Sequence, residues 1–73
     1  MITKFFTIET GLDDVNCFSA YEAYCRMIVA KVPKNKAQIM LAYVNEMQPN
    51  DYITFSGKEF TRVEIRCWTY END

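Results

Sequence analysis

The chain has 73 residues, of which 49% are hydrophobic, 15% aromatic and 25% charged, and its formal net charge is −2. This apolar content is typical of a folded globule, and the length allows one hydrophobic core, so we expect a single domain over residues 1–73. The acidic balance excludes the overall basic field that attracts nucleic acid or anionic membranes non-specifically.

The first segment has the pattern of a β-strand. Residues 1–10 (MITKFFTIET) are rich in β-branched and aromatic side chains, and Ile2, Phe6 and Ile8 share one side of the alternation. This pattern predicts a strand that ends at Gly11. Residues 12–16 (LDDVN) are polar and show no periodicity, so they predict a loop.

A helix start follows the loop. Ser19 and Glu22 have the S-x-x-E spacing of a capping box, so a helix should begin near Ala20 and end at Pro33. Residues 25–32 (CRMIVAKV) also fit the period of a strand, and this alternative stays open. At helical spacing, the apolar stripe of this segment is Tyr21, Tyr24, Cys25, Ile28 and Val32.

The next segment predicts a second helix over residues 36–48. Asn35 can cap it, with Gln38 three residues later, and Pro49 ends it. Its apolar stripe consists of Ala37, Met40, Leu41, Val44 and Met47.

Two strand-like runs, residues 52–56 and 60–70, complete the chain. A tight turn around Gly57 would join them as an antiparallel hairpin. We therefore predict an α+β fold of order β-α-α-β-β, in which two helices pack on one face of a three-stranded antiparallel sheet. The alternative is a four-stranded sheet with one helix, in which residues 25–32 form the additional strand.

The composition removes most catalytic and cofactor chemistry. The chain has no histidine, so it lacks the Ser-His, Cys-His and His-metal patterns, and two glycines cannot build a glycine-rich phosphate loop. Asp13 and Asp14 lack the spacing of a calcium loop. We expect no enzymatic activity, no cofactor and no metal site.

The cysteines favour a reducing compartment. Cys17, Cys25 and Cys67 are odd in number and form no C-x-x-C pair, which predicts three free structural thiols. The helix start after Cys17 could lower the pKa of its thiol, but a buried, inert side chain is the more frequent role of such a residue. Cys25 and Cys67 fall on predicted core faces. With no secretory leader and no apolar run long enough to span a bilayer, we expect a cytoplasmic protein that does not enter membranes.

Residues 62–70 (RVEIRCWTY) give the main functional lead. In a strand, Val63, Ile65 and Cys67 would face the helices. The same inward orientation is predicted for two residues of the preceding run and three of the first strand: Ile53, Phe55, Ile2, Phe6 and Ile8. The opposite face of the sheet would carry aromatic and arginine side chains, which are enriched in protein interfaces. The candidate protein-binding residues on that face are Phe5, Tyr52, Arg62, Arg66, Trp68 and Tyr70.

Three interpretations of this face compete. The side chains could only brace one another across the strands, they could bind a protein, or the rings could stack on single-stranded RNA or DNA while Arg62 and Arg66 contact phosphates. The acidic balance and Glu64 between the arginines oppose the last. We therefore predict a small protein-binding regulator or inhibitor that acts stoichiometrically, comparable by size to antitoxins, anti-sigma-like factors and phage-encoded inhibitors. The alternatives are a single-stranded RNA- or DNA-binding module that uses this face, and a structural or oligomerisation domain. The regulator itself could also form a homodimer.

Overall fold

Six elements form an α+β fold of order β-β-α-α-β-β. The computed structural model describes residues 2–11 and 13–71. The four strands form one antiparallel sheet in the order β2-β1-β4-β3, and the two helices pack together on one of its faces. The elements are β1 (Ile2–Glu9), β2 (Asp14–Cys17), α1 (Ala20–Val29), α2 (Lys34–Glu46), β3 (Tyr52–Phe55) and β4 (Val63–Glu71).

The α+β class and the two helices are confirmed, but the prediction of three strands is wrong. Residues 14–16, predicted as loop, belong to β2, which pairs with β1 so that Phe6 lies opposite Cys17 and Ile8 opposite Val15. A strand of four residues is too short to show periodicity, because only Val15 and Cys17 face the core. Leu12 of the predicted loop and Met1 of the predicted first strand lie outside the described residues.

The four-stranded alternative predicted the correct number of strands, but it placed the additional strand at the wrong residues. Residues 25–29 are helical, and the additional strand lies before α1 rather than within it. One half of the predicted capping box is present: the Ser19 hydroxyl accepts a hydrogen bond from the Glu22 N–H at 3.1 Å. The Glu22 carboxylate accepts its hydrogen bond from the N–H of Phe18, one residue before the cap. The helix ends before Pro33, at a turn in which Lys31 has a φ of 71°.

The buried stripe of α1 differs from the predicted one. Ala23 and Met27 are fully buried, whereas Tyr21 and Cys25 are exposed and Ile28 is 39% exposed. The predicted stripe was therefore out of phase by one residue, because Ala23 and Met27 each precede a predicted position and both stripes fit the helical period. The other two predicted positions pack against the core: Tyr24 and Val32.

Helix α2 buries the predicted stripe but begins earlier than predicted. Its N-cap is Pro33, without a side-chain hydrogen bond, so Asn35 lies in the first turn rather than at the cap. Leu41 is only half-buried. The buried stripe positions are Ala37, Met40, Val44 and Met47.

Strands β3 and β4 pair as predicted in antiparallel fashion, with Ile53 opposite Ile65, but no tight turn joins them. Residues 56–62 form a longer connection, in which the Phe60 ring packs edge-on against Phe55 at 5.9 Å between centroids. Gly57 does not have the positive φ that a two-residue hairpin turn requires of its glycine.

The core lies between the helices and the inner sheet face. Five of the predicted inward side chains are buried, and Ile53 and Phe55 are half-buried. Ile2 is 71% exposed, contrary to the prediction, because the start of β1 pairs with the end of β4 at an end of the sheet that the core does not reach. In the described part of the chain, neither helix has the length and apolar content of a membrane span. The five buried positions are Phe6, Ile8, Val63, Ile65 and Cys67.

Candidate protein-binding face

The face of the sheet opposite the helices, here called the outer face, carries the candidate site. It consists of the side chains that alternate with the core positions on the four strands. Five of the six predicted residues lie on it. They are Phe5, Tyr52, Arg66, Trp68 and Tyr70.

Arg62, the sixth predicted residue, lies just before β4 rather than in it. Its guanidinium donates a hydrogen bond to the Glu64 carboxylate at 2.6 Å, and both groups belong to the rim of the outer face. This hydrogen bond raises the pKa of Arg62 above its ordinary value. Arg62 thus forms an exposed ion pair with Glu64 at the rim.

An aromatic patch, defined as Phe5, Phe18, Trp68 and Tyr70, occupies one half of the outer face. Phe5 is the direct cross-strand partner of Trp68, and its ring meets Tyr70 edge-on, with 5.5 Å between centroids and 67° between planes. Phe18 follows β2 and lies 6.1 Å from the Phe5 ring. The sequence-based prediction missed Phe18. The alternation of Asn16 and Phe18 against the core residue Cys17 was the signal that could have revealed it.

Arg66 and Trp68 are held in place by their neighbours. The Arg66 guanidinium lies over the Tyr52 ring at 5.2 Å and over the Trp68 ring at 5.3 Å from their centroids. The Trp68 indole N–H donates a hydrogen bond to the Thr7 hydroxyl at 2.8 Å. We call the Tyr52–Arg66–Trp68 arrangement the arginine sandwich. Three interactions on adjacent strands thus fix these side chains before any partner binds.

An acidic row, defined as Asp14, Glu9 and Glu64, crosses the other half of the outer face. Asp14 lies opposite Glu9, and Glu9 lies opposite Glu64, so three carboxylates sit side by side on β2, β1 and β4. Like charges in directly opposed positions destabilise a sheet. Glu64 is compensated by Arg62, but Glu9 and Asp14 form no ion pair with any side chain of residues 2–11 and 13–71.

A shallow depression connects the acidic row with the aromatic patch. It has a volume of about 310 Å³ and lies between the carboxylates and the edge of Trp68, with Thr7 and Arg66 in between. The prediction missed the row, because Asp14 was assigned to a loop and its alignment with Glu9 depends on the β1–β2 register. A polar end and an apolar end are therefore part of one continuous surface.

The cysteines take no part in this face. Cys17 and Cys67 are buried, and burial is the main cause that raises the pKa of both thiols, which opposes the thiolate activation considered for Cys17. Cys25 is exposed on α1, contrary to its predicted core position. Within the described ranges, no group of Cys, Asp and Glu side chains is arranged to hold a metal ion.

Comparisons with known proteins add no assignment: no protein-family model matches the chain, and neither a curated protein nor a solved structure is similar to it. The chemistry of the outer face is therefore the basis for a functional proposal. It offers fixed aromatic rings, one stacked guanidinium and a row of carboxylates.

Proposed function

We propose that this protein is a small non-enzymatic regulator that binds a partner protein stoichiometrically through the outer face. The observation that carries the proposal is the fixed arrangement around Trp68, which stacks on Arg66 and donates to Thr7. Aromatic and arginine side chains dominate binding energy in protein interfaces. Side chains that are already ordered lose less conformational entropy on binding, which increases affinity.

The same geometry favours a protein partner over nucleic acid. A base-stacking platform needs free ring faces and free cations, whereas the Arg66 guanidinium already covers a face of both Tyr52 and Trp68. Arg62 is paired with Glu64, and the acidic row would repel a phosphate backbone. The two arginines that an RNA-binding role requires are thus engaged within the chain.

Self-association is a competing use of the surface. Strand β4 is longer than its neighbour β3, which pairs with residues 63–66, and the Cys67 backbone pairs with residues 50 and 51. Residues 68–71 of β4 extend beyond these partners along the same edge. An open strand edge can pair with a second copy of the chain. In the proposed function, the protein works in the cytoplasm as a regulator or inhibitor of the general type of antitoxins, anti-sigma-like factors and phage-encoded inhibitors, and dimerisation through this edge or the outer face would compete with partner binding.

The proposal is tested by capturing partners from the native host with wild-type protein, with Trp68→Ala and with the control Tyr43→Ala. Tyr43 is an exposed aromatic residue on α2, far from the outer face, so its loss should leave binding unchanged. Removal of a central aromatic anchor costs ~2 kcal/mol or more, so Trp68→Ala should weaken the complex about 30-fold. Native mass spectrometry of the purified complex should show one partner molecule for each monomer, or for each dimer, of this protein.

The capture experiment has clear contrary outcomes. Equal recovery of the same partner by wild type and Trp68→Ala, with both proteins folded by circular dichroism, would place the interface elsewhere. Tight binding of single-stranded oligonucleotides that weakens as salt rises would support the nucleic-acid role instead. We expect no oligonucleotide binding at low salt.

A further inference from the structure

We propose that the outer face recognises an extended, basic-apolar segment of the partner, with a lysine or arginine over the acidic row and an apolar side chain over the aromatic patch. This inference rests on the proposed function and specifies its ligand. It follows from the charge pattern of the face. Glu9 and Asp14 are opposed across β1 and β2, and neither forms an ion pair with a described residue. Arg62 attracts Glu9 from a longer distance and Arg66 borders the same depression, so the chain compensates these carboxylates only in part and a cation from the partner would complete the compensation.

The acidic row and the aromatic patch have a spacing that an extended chain can match. Glu64, Arg66 and Trp68 are alternate residues of β4, so their side chains repeat every ~6.7 Å and the two ends lie ~13 Å apart. Alternate side chains of an extended partner have the same repeat. If a cationic side chain of the partner lies over Glu64 and Glu9, the residue four positions later in the partner chain faces the same side. That residue lies over Trp68 and Phe5.

The middle of the face sets a further requirement. The residue between the cation and the apolar anchor would lie over Thr7 and Arg66, which are cross-strand partners in the depression. The stacked guanidinium of Arg66 retains hydrogen-bond donors at its edge, so a hydroxyl or other acceptor suits this position and a second cation does not. The recognised pattern is thus a cation, then an acceptor, then one or two apolar residues, at alternate positions.

The first test uses two synthetic peptides and the full-length ¹⁵N-labelled chain. The basic peptide is Thr-Thr-Lys-Thr-Ser-Thr-Leu-Thr-Leu with blocked ends, and the control peptide has Glu in place of Lys. The basic peptide should shift the amide signals of Glu9, Asp14 and Glu64 together with the indole signal of Trp68. Its affinity should exceed that of the control peptide at least about tenfold, which corresponds to ~1.4 kcal/mol.

The difference between the peptides should disappear in the double variant Glu9→Gln, Asp14→Asn. It should persist in Glu59→Gln, which removes one carboxylate from the exposed connection of residues 56–62. Equal binding of both peptides at Trp68 would overturn the basic requirement and leave the proposed function intact. If neither peptide shifts Trp68, this face does not take an extended segment, whereas the proposed function is judged separately by the capture of its partner.

A second test needs no ligand. If Glu9 and Asp14 repel each other in the free protein, the double variant Glu9→Gln, Asp14→Asn should melt at a higher temperature than wild type at low salt. Glu59→Gln should not show this gain. A lower melting temperature for the double variant would mean that the fold itself uses these charges, and the argument for an external cation would fail.

Discussion

The outer face and the solvent side of the helices both expose aromatic and aliphatic side chains, but the side chains of the outer face make more contacts with one another. On the helices, Tyr21 is 65% and Tyr43 61% exposed, whereas Trp68 and Tyr70 on the sheet are 37% and 40% exposed. The sheet rings are less accessible because they pack on one another and on Arg66. Exposure of apolar groups alone is common on protein surfaces, so the ordered contacts are the better mark of a binding face.

Backbone geometry explains this difference. Cross-strand neighbours lie ~4.5–5.5 Å apart at Cβ, so each ring on the sheet has partners on two sides. On a helix, contact is limited to residues three or four positions apart. Tyr21 stacks on Tyr24 at such a spacing, with 5.9 Å between ring centroids. A sheet face can therefore hold several anchors in one fixed arrangement, and a helix face holds them in pairs.

The largest effect on both the outer face and the helices is expected from a substitution in the core on which both are packed. Met27 is fully buried between α1 and the sheet, so Met27→Ala should cost ~2–5 kcal/mol of unfolding free energy. One core of this size provides only ~3–5 kcal/mol in total. We expect the variant to be largely unfolded, with the order of the outer face lost in the same transition, as measured by urea titration with circular dichroism and Trp68 fluorescence.

Ile39→Ala is the control for this prediction. Ile39 is 55% exposed on α2, and a surface substitution away from special features changes stability by about 0.5 kcal/mol or less. Similar losses in both variants would show that the solvent side of α2 is structurally required. The contrast between the two sides of the molecule would then disappear.

The sequence predicted one part of the outer face well and another poorly, for a physical reason. Residues 63–67 of β4 alternate between buried and more exposed side chains, so the outward position of Arg66, and by continuation of Trp68 and Tyr70, could be derived from period alone. Strand β2 has four residues, and its place in the sheet depends on pairing with β1, which is a tertiary interaction. Asp14 and Phe18 could therefore be assigned to the outer face only from the structure.

The α1 stripe shows a second limit of sequence reasoning. The buried positions Ala23 and Met27 each lie one residue before a predicted position, and both stripes fit the helical period. The packing of α1 against α2, β1 and β2 decides between them. The capping box gave the helix start correctly because its signal is local and depends on Ser19 and Glu22 alone. Local signals were thus reliable, and the choice of the buried face required knowledge of the packing partner.

The order of the outer face can be tested with a smaller change. Thr7→Val removes the acceptor for the Trp68 indole N–H while preserving side-chain shape, and should cost ~0.5–1.5 kcal/mol of unfolding free energy. Trp68 is the only tryptophan in the chain, so its fluorescence reports the loosened ring directly. The matched control is Thr54→Val on the outer face of β3. Equal effects of the two substitutions would indicate that the indole hydrogen bond does not order the ring.

The smallest expected effect concerns pH and separates the two buried thiols of the sheet from the exposed thiol of α1. Burial raises the pKa of Cys17 and Cys67 above the ordinary value of 9.0, whereas Cys25 is exposed on α1. An acid with a raised pKa in the folded state binds its proton more tightly there, so its contribution to stability is complete below the unfolded pKa and is lost as pH rises through the folded pKa. Urea unfolding should therefore show a decline in stability from about pH 9 upward. The decline should be smaller in a Cys17→Ala, Cys67→Ala variant, and Cys25→Ala, which removes an exposed thiol, is the control. A decline of equal size in all three proteins would show that the two buried thiols do not contribute to it.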